Sequence, residues 1–258
     1  MELFLMTFTT GIMVGSIYAL VALGWVLIYK CSGVLNLAMG EMTLIGAYIS
    51  LSFYSMGIPF LLALLLSLII GMVLGILTER IFLDKLIGEP VLTVIMVTVG
   101  LSFFFKGTVE LIWGTDTRVF TPPVFSLEPI RFGPIYIGEV YLWSFVAAII
   151  LLIVFVCFFK YTRWGLAMQA TADDESLGVS ARFVYAAAWA IAFMAAGVGG
   201  TMLGNINGLN ISVGYLGLLV LPAVVLGGLN SVPGAIVGGI IIGLLQNFSG
   251  AYLDRYFP

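Results

Sequence analysis

Histidine is absent from the 258-residue chain, and only 9% of its residues are charged. The first absence removes the commonest metal ligand and the general base most used near neutral pH. The second removes the means of covering a water-facing surface. A soluble domain carries roughly 25% charged residues, whereas here 62% are hydrophobic and the mean hydropathy is +1.18. The net charge of -3 rests on too few groups to imply a partner, and ten scattered Lys and Arg do not make the basic patch that nucleic-acid binding needs. The two cysteines, Cys31 at a membrane edge and Cys157 inside an apolar run, suggest neither a disulfide nor a metal site. No G-x-x-x-x-G-K-[ST] phosphate loop occurs, so any ATP-driven work needs a hydrolysing subunit on another chain. The first apolar run lacks a basic n-region and outlasts a signal peptide's h-region, so it reads as a retained span.

What is present is long, continuous apolar sequence. Runs of about 20 residues cross a bilayer as helices, and the lack of strict alternation argues against a barrel. The expected fold is an all-α, multi-pass helical bundle with broken, Gly-rich helices, in one transmembrane domain over residues 1–258. Eight spans are expected, near Phe4–Tyr29, Leu37–Phe53, Pro59–Leu77, Leu92–Trp113, Tyr141–Phe159, Phe183–Leu203, Tyr215–Leu229 and Gly234–Phe248. Thr78–Pro90 is a short charged connection, residues 114–140 a Pro-rich loop, and residues 160–182 hold most of the remaining charge. With the N-terminus outside, six of the ten Lys and Arg fall in inward connections. That bias places residues 114–140 outside and 160–182 in the cytoplasm. The 31 glycines imply closely approaching helices, and for most of them packing is the whole explanation.

Two stretches interrupt the apolar pattern in similar words. G-V-L-N-L-A-M-G and G-G-L-N-S-V-P-G both contain G-x-x-N-x-x-x-G, as Gly33, Asn36, Gly40 and as Gly227, Asn230, Gly234. An early and a late Gly/Pro-interrupted segment together point to a transport site. Asn36, Glu41 and Asn230 are therefore candidates for a substrate pathway. The blander readings are that each Asn caps freed backbone and that Glu41 is a helix-start carboxylate favoured by the dipole. Lys106 and Glu110 share a helix face four residues apart, which predicts a structural ion pair. In the loop Arg163–Arg182, a short helix is expected over Ala167–Leu177, carrying Asp173, Asp174 and Glu175 and ended by Gly178. A helical cytoplasmic loop in so uncharged a chain suggests a docking surface for a soluble partner.

The ordered combination G-S-I-Y-A-L-V-A-L-G-W-V-L-I-Y, G-V-L-N-L-A-M-G-E and L-G-G-L-N-S-V-P-G-A-I-V-G-G resembles the LivH-type permeases of branched-chain amino-acid ABC importers. The resemblance implies a permease subunit, not an enzyme, in a bacterial or archaeal inner membrane. It implies separate ATP-binding subunits that use the ATP, a LivM-like second permease and a periplasmic substrate-binding protein. It also casts Arg163, Asp173, Asp174, Glu175 and Gly178 as the contact with the ATPase. Three departures stand out. Met39 replaces a histidine frequent in the family, A-D-D-E-S-L-G is a degenerate version of the E-A-A…G coupling signature, and the chain stops at Tyr256-Phe257-Pro258 where relatives continue into a further span. The last suggests a short member or a truncated sequence. No cofactor or metal is expected. The competing reading is an ATP-independent secondary transporter or channel for a small polar solute. Against it stands the lack of an acid or histidine relay. Urea and short amides also remain as ABC substrates. An intramembrane enzyme would need a convergent acid–base or nucleophilic pair, and none is present.

Overall fold

The computed structural model describes residues 2–86, 88–126, 128–133, 135–162, 165 and 181–253. Eight α-helices occupy the eight expected places: α1 (Glu2–Ser32), α2 (Met39–Ser55), α3 (Phe60–Thr78), α4 (Val91–Trp113), α5 (Glu139–Tyr161), α6 (Ala181–Asn207), α7 (Leu216–Gly227) and α8 (Val232–Tyr252). Among the described residues, six helices are long and apolar enough to cross a membrane, and α2 and α7 are shorter. At 1.5 Å per residue α7 is about 18 Å long, well short of the roughly 30 Å hydrocarbon core. The seventh expected span, Tyr215–Leu229, is thus a half-helix. A 3-10 turn, Ile211–Tyr215, leads into it.

The helices divide into a core and a lipid-facing shell. In the most apolar window of α1, 89% of residues are buried, and in α6 72%, against 22–28% in α3, α4, α5 and α8. The small side chains explain why α1 can sit at the centre. Gly15 of α1 meets the backbone at Gly239 and Ile240 of α8, where a side chain on either helix would prevent contact. Leu20, Leu23, Val26 and Trp25 are then sealed inside.

Contacts at the two ends fix which helix termini share a face. At one end, Arg118 and Leu209 exchange backbone hydrogen bonds of 2.8 and 2.7 Å, and the Tyr54 hydroxyl donates to the Pro122 carbonyl at 2.8 Å. Tyr54, Phe60 and Phe120 pack there as an aromatic cluster. Residues 114–140 are not wholly irregular: β1 (Ile130–Phe132) pairs antiparallel with β2 (Ile135–Ile137). At the other end, Arg182 Nε lies 2.9 Å from Asp84 Oδ1. The connection expected over Thr78–Pro90 largely continues α3 as a π turn, Glu79–Leu83, and a 3-10 turn, Asp84–Leu86. Arg163, Asp173, Asp174, Glu175 and Gly178, with the helix expected over Ala167–Leu177, lie outside the described residues.

Candidate translocation site

The first break is built from backbone that cannot remain helical. Gly33 has φ +67°, a left-handed conformation natural to glycine, and ends α1. Six residues later α2 begins. Asn36 between them is fully buried: its Oδ1 accepts from the Ala38 N–H at 3.0 Å, and its amide contacts Met42 Sδ at 3.1 Å. This local turn satisfies backbone freed from helix inside the protein. Thr98 of α4 completes it, accepting from Leu37 N–H at 3.3 Å and lying 3.2 Å from the Leu35 carbonyl. Thr98 sits two turns into α4, so the break lies at membrane depth and not at its surface.

The start of α2 meets the start of α7. A Cβ on Gly217 would stand 2.5 Å from Gly40 N and 2.8 Å from Gly40 Cα, so the helices touch backbone to backbone. From this junction α2 runs towards the Tyr54 end and α7 towards the opposite face. Two helix N-termini, each a partial positive charge, therefore converge inside the body. Glu41, in the first turn of α2, places its carboxylate against Gly214, where an added Cβ would lie 3.4 Å from Oε1. Ser102 and Lys106 of α4 are its polar neighbours. Lys106 Nζ lies 5.7 Å from the centroid of the Tyr215 ring. Ser102 is the midpoint of α4 (Val91–Trp113), a helix long enough to cross a membrane, and Lys106 lies about one turn further along it. In the single chain, Glu41 and Lys106 are half-buried and Tyr215 is exposed.

The expected Lys106–Glu110 pair is not formed: no ion pair within 4.0 Å joins them among the described residues. Lys106 turns inward to Glu41 and Tyr215, while Glu110 is exposed. Facing charges on the junction outweigh an i, i+4 contact between exposed side chains, which is worth only a few tenths of a kcal/mol, about 0.2–0.5.

Asn230 is not brought to this site. It is exposed, in a cavity of about 430 Å³ shared with Lys30, Lys160 and Ser231. The two similar motifs also work differently. In the second, Gly228 rather than Gly227 takes the left-handed φ, +90°, and Ser231, not Asn230, caps the next helix by accepting from Gly234 N–H at 3.1 Å. Two features gave no sequence signal. One is a polar-lined cleft of about 680 Å³ between α1, α6 and α8, lined by Thr10, Tyr18, Asn207, Gln246 and Asn247, with the Tyr18 hydroxyl bonded to Gln246. The other is Glu79, only 1% exposed, with no hydrogen-bond partner at either carboxylate oxygen among the described residues.

A multi-pass helical body whose spans break at a charged junction within the membrane defines a transport subunit. Over residues 7–257 the chain matches the family described as branched-chain amino acid transport system, permease component, and it belongs to that family. It is 30% identical to the high-affinity branched-chain amino acid transport system permease protein LivH of Escherichia coli strain K12, over 98% of this chain and 88% of the relative. It is 28% identical to BraD of Pseudomonas aeruginosa, over 98% of this chain and 89% of the relative, and 25% identical to a probable LivH of Methanocaldococcus jannaschii, over 96% and 81%. No solved structure matches the chain. The protein is thus a permease subunit of an ABC transport system in the inner membrane, with hydrolysis left to a separate component.

Proposed function

We propose that this chain forms one half of the translocation pathway of an ATP-driven importer for branched-chain or related small amino acids. The other half comes from a LivM-like second permease. ATP-binding subunits dock on the cytoplasmic loop, residues 160–182, and a periplasmic substrate-binding protein delivers the solute to the outer loops. The observation that carries this reading is the half-buried Glu41–Lys106 junction midway along α4, on a surface this chain leaves open. Charges at that depth are costly against lipid and turn to a cavity or a protein partner. A second permease closing over the junction supplies both. The polar cleft at Tyr18 and Gln246 favours the same arrangement, since amide and hydroxyl groups facing acyl chains have no partner. In this scheme Glu41 lines the pathway, Asn36 holds the bend that presents it, and Asn230 stands at the inner end beside Lys30 and Lys160.

The test is affinity purification of the chain from its native membrane, with identification of what stays bound. A second permease together with ATP-binding subunits is the expected recovery. Recovery of the chain alone, in a state that moves solute under an ion gradient, would favour an ATP-independent transporter and overturn the proposal.

A further inference from the structure

The Glu41 junction holds opposite charges that do not neutralise each other. Lys106 is the charged neighbour of Glu41 from α4, yet no ion pair within 4.0 Å joins them. Each has another neighbour instead: Ser102 for the carboxylate, and the Tyr215 ring, its centroid 5.7 Å away, for the ammonium. The floor beside Glu41 is Gly214, which brings no side chain there, and Gly217 packs on Gly40. In a structural intramembrane pair the two groups close on each other, because separated charges in a low-dielectric setting are expensive. Here they stand apart on a half-open surface, with an aromatic ring at the rim.

We propose that Glu41 and Lys106 are the two poles of a binding station for a zwitterionic α-amino acid. The substrate's ammonium group is held by the Glu41 carboxylate and its carboxylate by the Lys106 ammonium. Its apolar side chain lies over Tyr215, towards the second permease. Both contacts are charge-assisted hydrogen bonds, the strong kind. A zwitterion satisfies both poles at once and presents no net charge to the membrane. A neutral amide or urea engages neither pole fully. This rests on the reading of the chain as an amino-acid permease and adds to it the groups that recognise the substrate's backbone within the membrane. Glu41 and Lys106 are binding residues, and Ser102 positions the Glu41 carboxylate.

The experiment uses the complete complex: this chain, its second permease, the ATP-binding subunits and the binding protein, in proteoliposomes with radiolabelled leucine as probe. Glu41→Gln and Lys106→Met are each expected to lower ATP-dependent leucine uptake by about tenfold or more, the loss typical of a hydrogen bond to a charged group. Hydrolysis stimulated by the binding protein should stay within about twofold of wild type, because docking and ATPase contacts lie at the two ends of the molecule. Glu41→Asp should recover a substantial part of the uptake. Unchanged uptake in both neutral variants would overturn the proposal. So would joint loss of uptake and stimulated hydrolysis in all three variants, which would assign the pair to holding the fold. A wild-type complex that takes up no leucine with ATP would instead remove the amino-acid reading beneath it.

Discussion

The contact between the starts of α2 and α7 makes a sharp prediction about Gly217. A Cβ added there would lie 2.5 Å from Gly40 N, about 0.9 Å inside the 3.4 Å at which van der Waals contact becomes ordinary. The atoms it meets are backbone, so no rotamer relieves the clash and the two half-helices must part. Overpacking of this kind costs about 1–3 kcal/mol. At roughly 2–4 °C per kcal/mol for a chain of this size, Gly217→Ala should lower the thermal midpoint of the purified protein by several degrees. Gly107 of α4 supplies the control. An added Cβ there meets nothing within 4 Å, and the position is inside a helix. Gly107→Ala should therefore leave the midpoint unchanged or raise it, through a helix-propensity gain of up to about 1 kcal/mol. The assay is a melting curve in one fixed detergent for both variants and wild type. If Gly217→Ala melts at or above wild type, the backbone contact at the junction is not as described.

Three further expectations concern the surroundings of the site. Thr98→Val keeps the shape of the side chain but strands the Leu37 N–H, which donates to the Thr98 hydroxyl. It should cost about 1–3 kcal/mol and reduce uptake in the assembled transporter; an unchanged melting midpoint would contradict the role given to Thr98. Glu79→Gln removes a buried carboxylate that has no hydrogen-bond partner among the described residues and should raise the midpoint, by up to about 1 kcal/mol equivalent, whereas a fall would show that the charge is compensated. Replacing Asp173, Asp174 and Glu175 together by Ala should weaken association with the ATP-binding subunits or uncouple hydrolysis from uptake. Normal assembly with normal uptake would remove the docking assignment.

Much of the fold was legible because lipid leaves little choice. Once charge is this sparse, backbone satisfaction forces helices, and all eight were placed to within a few residues. The seventh shows where hydropathy stops. Tyr215–Leu229 is apolar throughout, and nothing in its composition says that it begins as a 3-10 turn part-way through the membrane. That follows from the Gly40–Gly217 contact, which joins residues far apart in sequence. Glu41 and Asn36 were visible as polar residues in apolar surroundings, and Asn36 took the capping role held open for it. Sequence spacing pairs Lys106 with Glu110, the nearest acid along the chain, yet no ion pair joins them within 4.0 Å and Lys106 lies by the Tyr215 ring. Asn230 resembles Asn36 in its motif, G-x-x-N-x-x-x-G. Its motif matches, yet Gly228 and Ser231 do the turning and capping there. Glu79 and the cleft at Tyr18 and Gln246 had no signature, because an unpartnered carboxylate and a cavity exist only once helices pack.

The central claim is that the junction of α2, α4 and α7 faces an aqueous pathway completed by a second permease. Its most direct test is cysteine accessibility in the assembled transporter, with Cys31 and Cys157 replaced by Ser. Tyr215→Cys, on the rim of the junction, should react with a water-soluble, membrane-impermeant thiol reagent, and its reactivity should change when ATP is trapped in the partner subunits. Phe104→Cys, on α4 about 200° round the helix from Ser102, is exposed in the single chain on the lipid side and should stay unreactive. Equal silence at both positions in every nucleotide state would mean that the junction faces lipid or packed protein, and the pathway would have to be sought elsewhere in the molecule.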